Sequence, residues 1–231
     1  VLVRSMVTLK NQIHGLLLGY GIETKRGQLQ SKKGRRRILE VLAEQGLAGY
    51  AVEPLLDTID ILDGEVKKLE KLLSEQVSGD RIVELLMSIP GTGLITATTV
   101  RAYIDDIKRF REYKHFSSYA GLAPWVQGSN DRYRYGHITK RGPEPLRTAI
   151  VQMVLGMVRN QKRTGEYRIM QTYRSMKPHK GSGTTIIATA RKLSKIVWHM
   201  LTNDEPFNPP EMTDPKIRKI ARDMQSAAPA A

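Results

Sequence analysis

The sequence contains no cysteine and no long apolar run. The absence of cysteine among its 231 residues excludes a disulfide framework and a thiolate metal site, and it is compatible with a reducing cytoplasm. A membrane span needs about 20 consecutive apolar residues. Neither such a run nor a signal-peptide pattern is present in the sequence. We therefore expect no membrane-spanning segment.

A metal-binding pattern is also missing. The five histidines, at positions 14, 115, 137, 179 and 199, share no ligand-like spacing. Asp105 and Asp106 are adjacent, so their side chains do not converge on one ion, and they are interpreted more simply as the end of a helix. The sequence therefore predicts no metal site and no cofactor in this chain, and it lacks the acidic cluster that two-metal phosphoryl transfer uses.

Acidic residues are scarce outside one segment, so the charge is unevenly distributed. The formal net charge is +14. Lys and Arg outnumber Asp and Glu by 9 to 1 in residues 1–39 and by 20 to 6 in residues 100–200, whereas residues 40–80 carry 3 basic and 10 acidic side chains. A basic excess of this size exceeds what a solvated face needs, so a polyanion is the natural partner. We expect nucleic acid rather than an anionic membrane surface.

Apolar spacing predicts a mainly α fold, because apolar positions recur every three or four residues over most of the chain. We divide it into a basic helical arm (1–48), a coiled-coil spacer (49–79), a helix-hairpin-helix domain with one irregular loop or small hairpin (80–203), and a poorly ordered tail (204–231). The predicted helices cover 1–18, 38–45, the segment after Pro143, 164–176 and 184–201. Their expected buried faces are Val3, Val7, Ile13 and Leu17; Leu146, Ile150, Met153 and Met157; and Ile186, Ala190, Leu193, Val197 and Met200.

Residues 52–73 carry a heptad pattern, with apolar side chains at alternating spacings of three and four. These are Val52, Leu55, Ile59, Leu62, Val66, Leu69 and Leu73. Such a seam packs against another helix of the same chain or against a second copy. We favour a homo-oligomer through these heptads, and a modest one, because Gly64 within the helix costs about 1 kcal/mol.

The segment Ile89-Pro90-Gly91-Thr92-Gly93, between two short amphipathic stretches, predicts a helix-hairpin-helix. Proline ends the first helix and glycine permits backbone angles that other residues avoid. The second helix then directs its first N–H groups at the turn, where they suit a phosphate oxygen. Pro90, Gly91, Thr92 and Gly93 are therefore candidate contacts to a nucleic-acid backbone. The alternative is a compact turn whose glycines serve packing alone.

Residues 125–142 lack helical periodicity and combine turn formers with alternating basic and aromatic side chains, which predicts an exposed loop or a small hairpin. Ser129 follows a glycine there and is the candidate nucleophile, since nearby basic groups can neutralise a phosphate. Its alternative is a plain turn serine. The candidate phosphate contacts are Arg132, Arg134, His137, Lys140, Arg141 and, on the next helix, Arg147.

The block from Ser88 to Arg147 resembles the C-terminal domain of bacterial insertion-sequence transposases that pair an N-terminal RuvC-like DEDD domain with a serine-bearing domain. The IPGTG, YAGLAP and GHITKRG segments carry the likeness, and ARKLSKIVWHML continues it. Members of that family are described as bridge-RNA-guided recombinases. The resemblance implies that Ser129, five residues after Pro124, is catalytic. Asn130 stands where the family usually has glycine.

The same resemblance implies partners outside the chain: DNA, a structured guide RNA, and Mg²⁺ in a RuvC-like domain. That domain is missing here, and the chain starts at Val1 without methionine, so we expect a processed, truncated or excised piece of a bacterial, nucleoid-associated protein. The predicted function is DNA transposition or recombination by a transposase domain that is inactive alone. The alternative is a non-catalytic, self-associating nucleic-acid-binding module. Ser117, Ser118 and Tyr133 are the next candidate nucleophiles.

Overall fold

A computed structural model describes residues 1–25, 27–46, 49–129 and 132–207. The mainly α prediction is confirmed: within these ranges the only strands are one antiparallel pair. The chain divides into two compact units, residues 1–76 and the segment from Val77 onward. No described helix is both long and apolar enough to cross a bilayer. The elements are α1 (Leu2–Gly19), α2 (Lys32–Glu44), α3 (Glu53–Gln76), α4 (Arg81–Met87), α5 (Leu94–Ile104), α6 (Tyr113–Tyr119), β1 (Pro124–Ser129), β2 (Arg132–Ile138), α7 (Glu144–Arg159), α8 (Gln161–Thr164), α9 (Arg168–Lys180) and α10 (Ser182–Asn203).

In the first unit α1 packs against α3, and α2 completes the core. The helix predicted at 1–18 is present, but its expected face is partly wrong. Val3 and Val7 are 59% and 52% exposed, whereas Met6 is buried beside Ile13 and Leu17. Met6 and Ile13 are seven residues apart and share one face, whereas Val7 directly follows Met6 and points about 100° away, and Val3 lies at the edge of that face in the first turn.

Three consecutive arginines, at positions 35–37, lie inside α2, which begins at Lys32 rather than at the predicted position 38. Ser31 caps the helix by accepting a hydrogen bond from the Gly34 N–H. Arg35 is only 8% exposed, pairs with Asp60 of α3 and donates from Nε to the Leu29 carbonyl at 2.8 Å. This arginine thus has its acidic partner within its own chain.

The heptad stretch lies in α3 and is divided between core and surface. Its first half belongs to the core of the unit, where Leu56 and Ile59 are buried with Val52, which immediately precedes the helix. Further along, Leu69 and Leu72 are 54% and 56% exposed. The arm and the first half of the heptads therefore share one core, and only the second half remains open to another helix.

The second unit is organised around α10, which packs against α4, α6, α7 and α9. The predicted buried faces of α7 and α10 are confirmed, except that Ile186 is half-buried. As the periodicity predicts, Arg191, Lys192 and Lys195 are exposed. These three basic side chains therefore lie on the solvent-exposed face of α10, opposite the face that packs in the core.

The helix predicted at 164–176 is present but begins and ends four residues later, as α9, and the short α8 precedes it. Thr164 is buried and donates from Oγ1 to the carbonyl oxygens of Met157 at 2.8 Å and Asn160 at 3.1 Å. These bonds hold the short α8 against the end of α7, and α9 starts only at Arg168.

Residues 204–207, which the sequence analysis assigns to the disordered tail, are held against the second unit. Phe207 is buried, its N–H donates to Ser88 Oγ at 2.8 Å, and its ring packs edge-on against Tyr167. Arg81 pairs with Asp204 at 2.9 Å. The rest of the predicted tail, 208–231, lies outside the described residues.

Candidate nucleic-acid interface

Two helices flank the predicted turn, and their far ends are tied together. Asp80 caps α4 by accepting hydrogen bonds from the N–H groups of Ile82 and Val83. Its other oxygen accepts from Arg101 Nε of α5 at 2.9 Å. Burial opposes ionisation of Asp80, but the hydrogen bonds from Arg101 and Val83 outweigh it and lower the pKa of this carboxyl. The ion pair therefore fixes the two helices that present the turn.

The two glycines of the α4–α5 turn, residues 88–93, differ in what they require. Gly91 has φ +84°, and a Cβ atom there would lie 2.5 Å from the carbonyl carbon of Gly156 on α7. Gly93 has φ −94°, and a Cβ atom on it would meet nothing within 4 Å. Gly91 is thus needed for packing and backbone geometry, whereas Gly93 leaves open space beside the start of α5.

The start of α5 presents unpaired donors. Within the described part of the chain, no hydrogen bond from the N–H groups of Gly93, Leu94 or Ile95 is present, and no side chain caps the helix. Thr92 is turned inward instead: its N–H donates to the Ile89 carbonyl at 3.0 Å, and its buried Oγ1 has no partner among the described residues. The groups of the turn that remain open to an anion are therefore backbone N–H groups.

The segment 125–142 contains the small hairpin that was one of the two predicted alternatives. Strands β1 and β2 are antiparallel, with a bulge between Pro124 and Val126. Trp125 lies over Gly136, where a Cβ atom would be 2.9 Å from its ring. Ser129 ends β1 and is paired in register with Arg132, the first residue of β2.

Part of this hairpin lies outside the described residues. Asn130 and Asp131, between the strands, are not described, nor are the side chains of residues 127–135. This range includes the side chains of the candidate residues Ser129, Arg132 and Arg134. Ser129, Arg132 and Arg134 are therefore located by their backbone positions in the register of β1 and β2.

The base of the hairpin is locked by two left-handed glycines, which lie in the YAGLAP and GHITKRG segments. At Gly121 (φ +69°) a Cβ atom would lie 2.7 Å from the Arg141 carbonyl oxygen, and at Gly142 (φ +120°) it would collide with the Tyr119 carbonyl oxygen. The Thr139 N–H donates to the Ala123 carbonyl at 2.9 Å. The two segments therefore interlock, and this contact holds the hairpin on the helical core.

The remaining basic candidates lie near this base. His137, Lys140 and Arg141 are exposed. Arg147 is half-buried and donates from Nη1 to the Lys140 carbonyl at 3.1 Å, so it supports the backbone that leaves the hairpin. Among the next candidate nucleophiles, Ser117 is buried, and its Oγ lies 2.6 Å from the Oγ of Ser194.

Sequence reasoning did not identify a cleft beside the α4–α5 turn. It has a volume of about 250 Å³ and is lined by Met87, Ser88, Ile89, Pro90, Gly91, Asn160 and Arg163. Asn160 and Arg163 lie at the α7–α8 junction and belong to no recognisable sequence motif. The nearest signal in the sequence is Gly156, whose small size permits the close approach of Gly91.

The described residues do not fit a Mg²⁺ site. Nowhere in the described ranges do three or more His, Asp or Glu side chains come close enough to hold a metal ion. We therefore derive no chemical step through a metal in this chain.

Part of the second unit is similar to a known protein family. Residues 83–168 match the family model described as Transposase IS116/IS110/IS902 family. The chain is 28% identical over 213 residues to a probable family 20 transposase of Pseudomonas aeruginosa, covering 90% of this chain and 62% of that protein. It is 28% identical over 211 residues to the transposase for insertion sequence element IS1328 of Yersinia enterocolitica, covering 90% and 61%.

A pilin gene-inverting protein of Moraxella bovis is 29% identical over 155 residues, covering 66% of this chain and 46% of that protein. The chain thus spans about three fifths of the length of the transposases that it matches. Both hairpins of the candidate interface lie inside the matched segment. Residues 83–168 are therefore similar to the transposase IS116/IS110/IS902 family, and the relatives named here resemble the chain over about two thirds or more of its length.

Proposed function

We propose that this chain is the serine-bearing, DNA-binding part of a transposase or site-specific recombinase, and that Ser129 attacks a DNA phosphate. The names of the relatives, transposases and a gene-inverting protein, support this class of reaction. The observation that carries the proposal is the register of the β-hairpin. It places Ser129 opposite Arg132 at the end of a ribbon whose base is locked by glycines.

The register suits phosphate chemistry. Opposite residues of an antiparallel pair are near neighbours on one face. Gln127 is opposite Arg134, and Ser129 is opposite Arg132, so two arginine positions accompany the serine position. In the proposed step, Oγ of Ser129 forms a bond to phosphorus, one bond from phosphorus to a deoxyribose oxygen breaks, and the hydroxyl proton passes to the departing oxygen. The arginines would neutralise charge on the phosphate oxygens.

DNA positioning is assigned to the α4–α5 turn acting as a helix-hairpin-helix. The open N–H groups of Gly93, Leu94 and Ile95 lie at the positive end of α5, where a backbone phosphate is favoured. Contacts of this kind fix a protein on DNA without reading sequence. Sequence choice would then come from the structured guide RNA that the resemblance implies, and Mg²⁺ would belong to the RuvC-like domain.

The test is the formation of a covalent protein–DNA adduct by the chain joined to a RuvC-like domain, with Mg²⁺ and guide RNA. We expect an adduct that resists denaturation and is absent in Ser129→Ala. Ser118→Ala is the matched control, because Ser118 is exposed on α6 and outside the hairpin. An adduct that persists in Ser129→Ala would contradict the assignment of the nucleophile.

A non-catalytic, self-associating nucleic-acid-binding module is the second candidate. The exposed second half of α3, with Leu69 and Leu72, favours self-association, and the basic second unit favours nucleic acid. This candidate predicts salt-sensitive DNA binding and a dimer, with no adduct from the fully assembled wild type. The adduct experiment therefore distinguishes the two functions.

A further inference from the structure

We propose that the cleft beside the α4–α5 turn is a second backbone-phosphate site, in which Arg163 and Asn160 act with the N–H of Gly91. This inference rests on the proposed DNA binding and extends it to two residues outside the turn. The cleft is defined by five residues of the turn region, from Met87 to Gly91, and by Asn160 and Arg163 from the α7–α8 junction.

The two walls of the cleft are fixed by backbone contacts. Gly91 contacts Gly156 backbone to backbone, which holds the turn against the last part of α7. Immediately after α7, the buried hydroxyl of Thr164 bonds to the carbonyl oxygens of Met157 and Asn160. These hydrogen bonds hold the backbone of Asn160 and Arg163 in place. The site is therefore preorganised, and binding a ligand costs little conformational entropy of the backbone.

The lining of the cleft offers hydrogen-bond donors and contains no acidic side chain. Among the seven lining residues none is acidic, and Arg163 is positively charged. Asn160 is the residue preceding α8, and its side chain makes no capping hydrogen bond. Within the described residues no hydrogen bond is made by the Gly91 N–H. A guanidinium, an amide and a backbone N–H are donors that match the oxygens of one phosphodiester.

The volume of the cleft suits a phosphate group better than a larger ligand. The cleft volume of about 250 Å³ is smaller than the roughly 300 to 1,000 Å³ of typical small-molecule and cofactor sites. It is several times the roughly 30 Å³ that one water occupies in the liquid. A phosphate group of a nucleic-acid backbone fits this range, and its position next to Gly93 would let one strand contact both sites.

The test measures binding of a mixed-sequence DNA duplex at several salt concentrations, for the full chain and its variants. Each phosphate that a cation neutralises contributes about 0.9 to the slope of log K against log salt. We expect Arg163→Gln to reduce the slope by about that amount. Lys162→Gln is the charge-matched control, since Lys162 is exposed on the same helix and does not line the cleft.

A second pair of variants tests Asn160. Asn160→Asp retains a residue that is favoured before a helix, but it places a negative charge in the cleft. We expect it to weaken DNA binding more than Gln161→Glu, which adds the same charge at an exposed position that does not line the cleft. Thermal unfolding of each variant establishes that the fold is retained.

The outcomes separate this inference from the function on which it rests. If the wild type shows no salt-dependent binding to DNA, the proposed function fails. If the wild type binds and Arg163→Gln and Lys162→Gln change the slope equally, the cleft is not a phosphate site and the inference is overturned. A loss of slope in Arg163→Gln that Arg163→Lys largely restores would support it, because lysine retains the charge.

Discussion

Gly91 and Gly156 lie in direct backbone contact, although they are 65 residues apart in the sequence. A Cβ atom on Gly91 would be 2.5 Å from the carbonyl carbon of Gly156, and Gly91 also has φ +84°. This contact joins the turn that carries the open N–H groups at the start of α5 to α7. Gly91, the first glycine of the IPGTG segment, is therefore needed for packing as well as for the turn.

Replacing Gly91 by alanine should destabilise the second unit, because a left-handed backbone costs a residue with a Cβ about 1 to 2 kcal/mol and the new atom would also collide with α7. Gly156→Ala should have a comparable effect. Gly93→Ala should remain folded, since its Cβ meets open space, and should weaken DNA binding. Chemical denaturation and DNA binding of the three variants check this. Equal stability of Gly91→Ala and Gly93→Ala would contradict the account.

The ion pair between Asp80 and Arg101 should make stability depend on pH. The pKa of Asp80 is lowered in the folded state, so its contribution is present above the unfolded pKa of about 3.9 and is lost as the pH falls through the lower folded value. Asp80→Asn preserves a good helix cap and removes the charge. We expect it to be less stable than wild type at pH 7, by up to about 1 kcal/mol for this partly exposed pair.

The difference between Asp80→Asn and wild type should shrink as the pH falls below the unfolded pKa of about 3.9, because the unfolded chain then binds the proton first, and it should be lost as the pH falls through the lower folded pKa. Urea denaturation at neutral and acidic pH measures it. Glu84→Gln is a control, because Glu84 is an exposed residue on the same helix that pairs only loosely, at 3.6 Å, with Arg81. A difference for Asp80→Asn that stays constant with pH would rule out the ion pair as its cause.

Self-association should depend on the second half of α3. Leu69 and Leu72 are more than half exposed, so replacing both by lysine should leave the first unit folded and convert an oligomer to a monomer. Ile59→Lys is the contrasting variant, because Ile59 is fully buried and a lysine there should unfold the unit. Light scattering with circular dichroism separates these effects. A wild type that is monomeric at high concentration would contradict the self-association proposal.

Long amphipathic helices were predictable because one apolar stripe dominates each of them. The faces of α7 and α10, from Leu146 to Met157 and from Ala190 to Met200, follow directly from that stripe. On α1 the longer apolar stripe runs through Met6, Ile13 and Leu17, and this stripe is buried in the core of the unit, whereas Val3 and Val7 lie toward its edge and are exposed. Lys10 and His14 follow Val3 and Val7 on that edge, so all apolar positions of the helix together indicate the buried face better than Val3 and Val7 do.

The candidate site was predictable where a motif is local. The turn at Ile89–Gly93 and the hairpin that carries Ser129 follow from turn formers at short range. The contacts of Gly91 with Gly156, of Gly142 with Tyr119, and of the cleft with Arg163 join segments distant in sequence. Without the fold, Asn160 and Arg163 are ordinary polar residues at the end of a helix.

The central claim is that Ser129 becomes linked to DNA, and the most direct test locates that bond. The covalent adduct is trapped, its DNA is digested to a short remnant, and the protein is cleaved with trypsin. The tryptic peptide 115–132 contains Ser117, Ser118 and Ser129, so fragment ions distinguish them. The account predicts the nucleotide remnant on Ser129. A remnant on Ser118, or on Tyr133 in the next peptide, would contradict it.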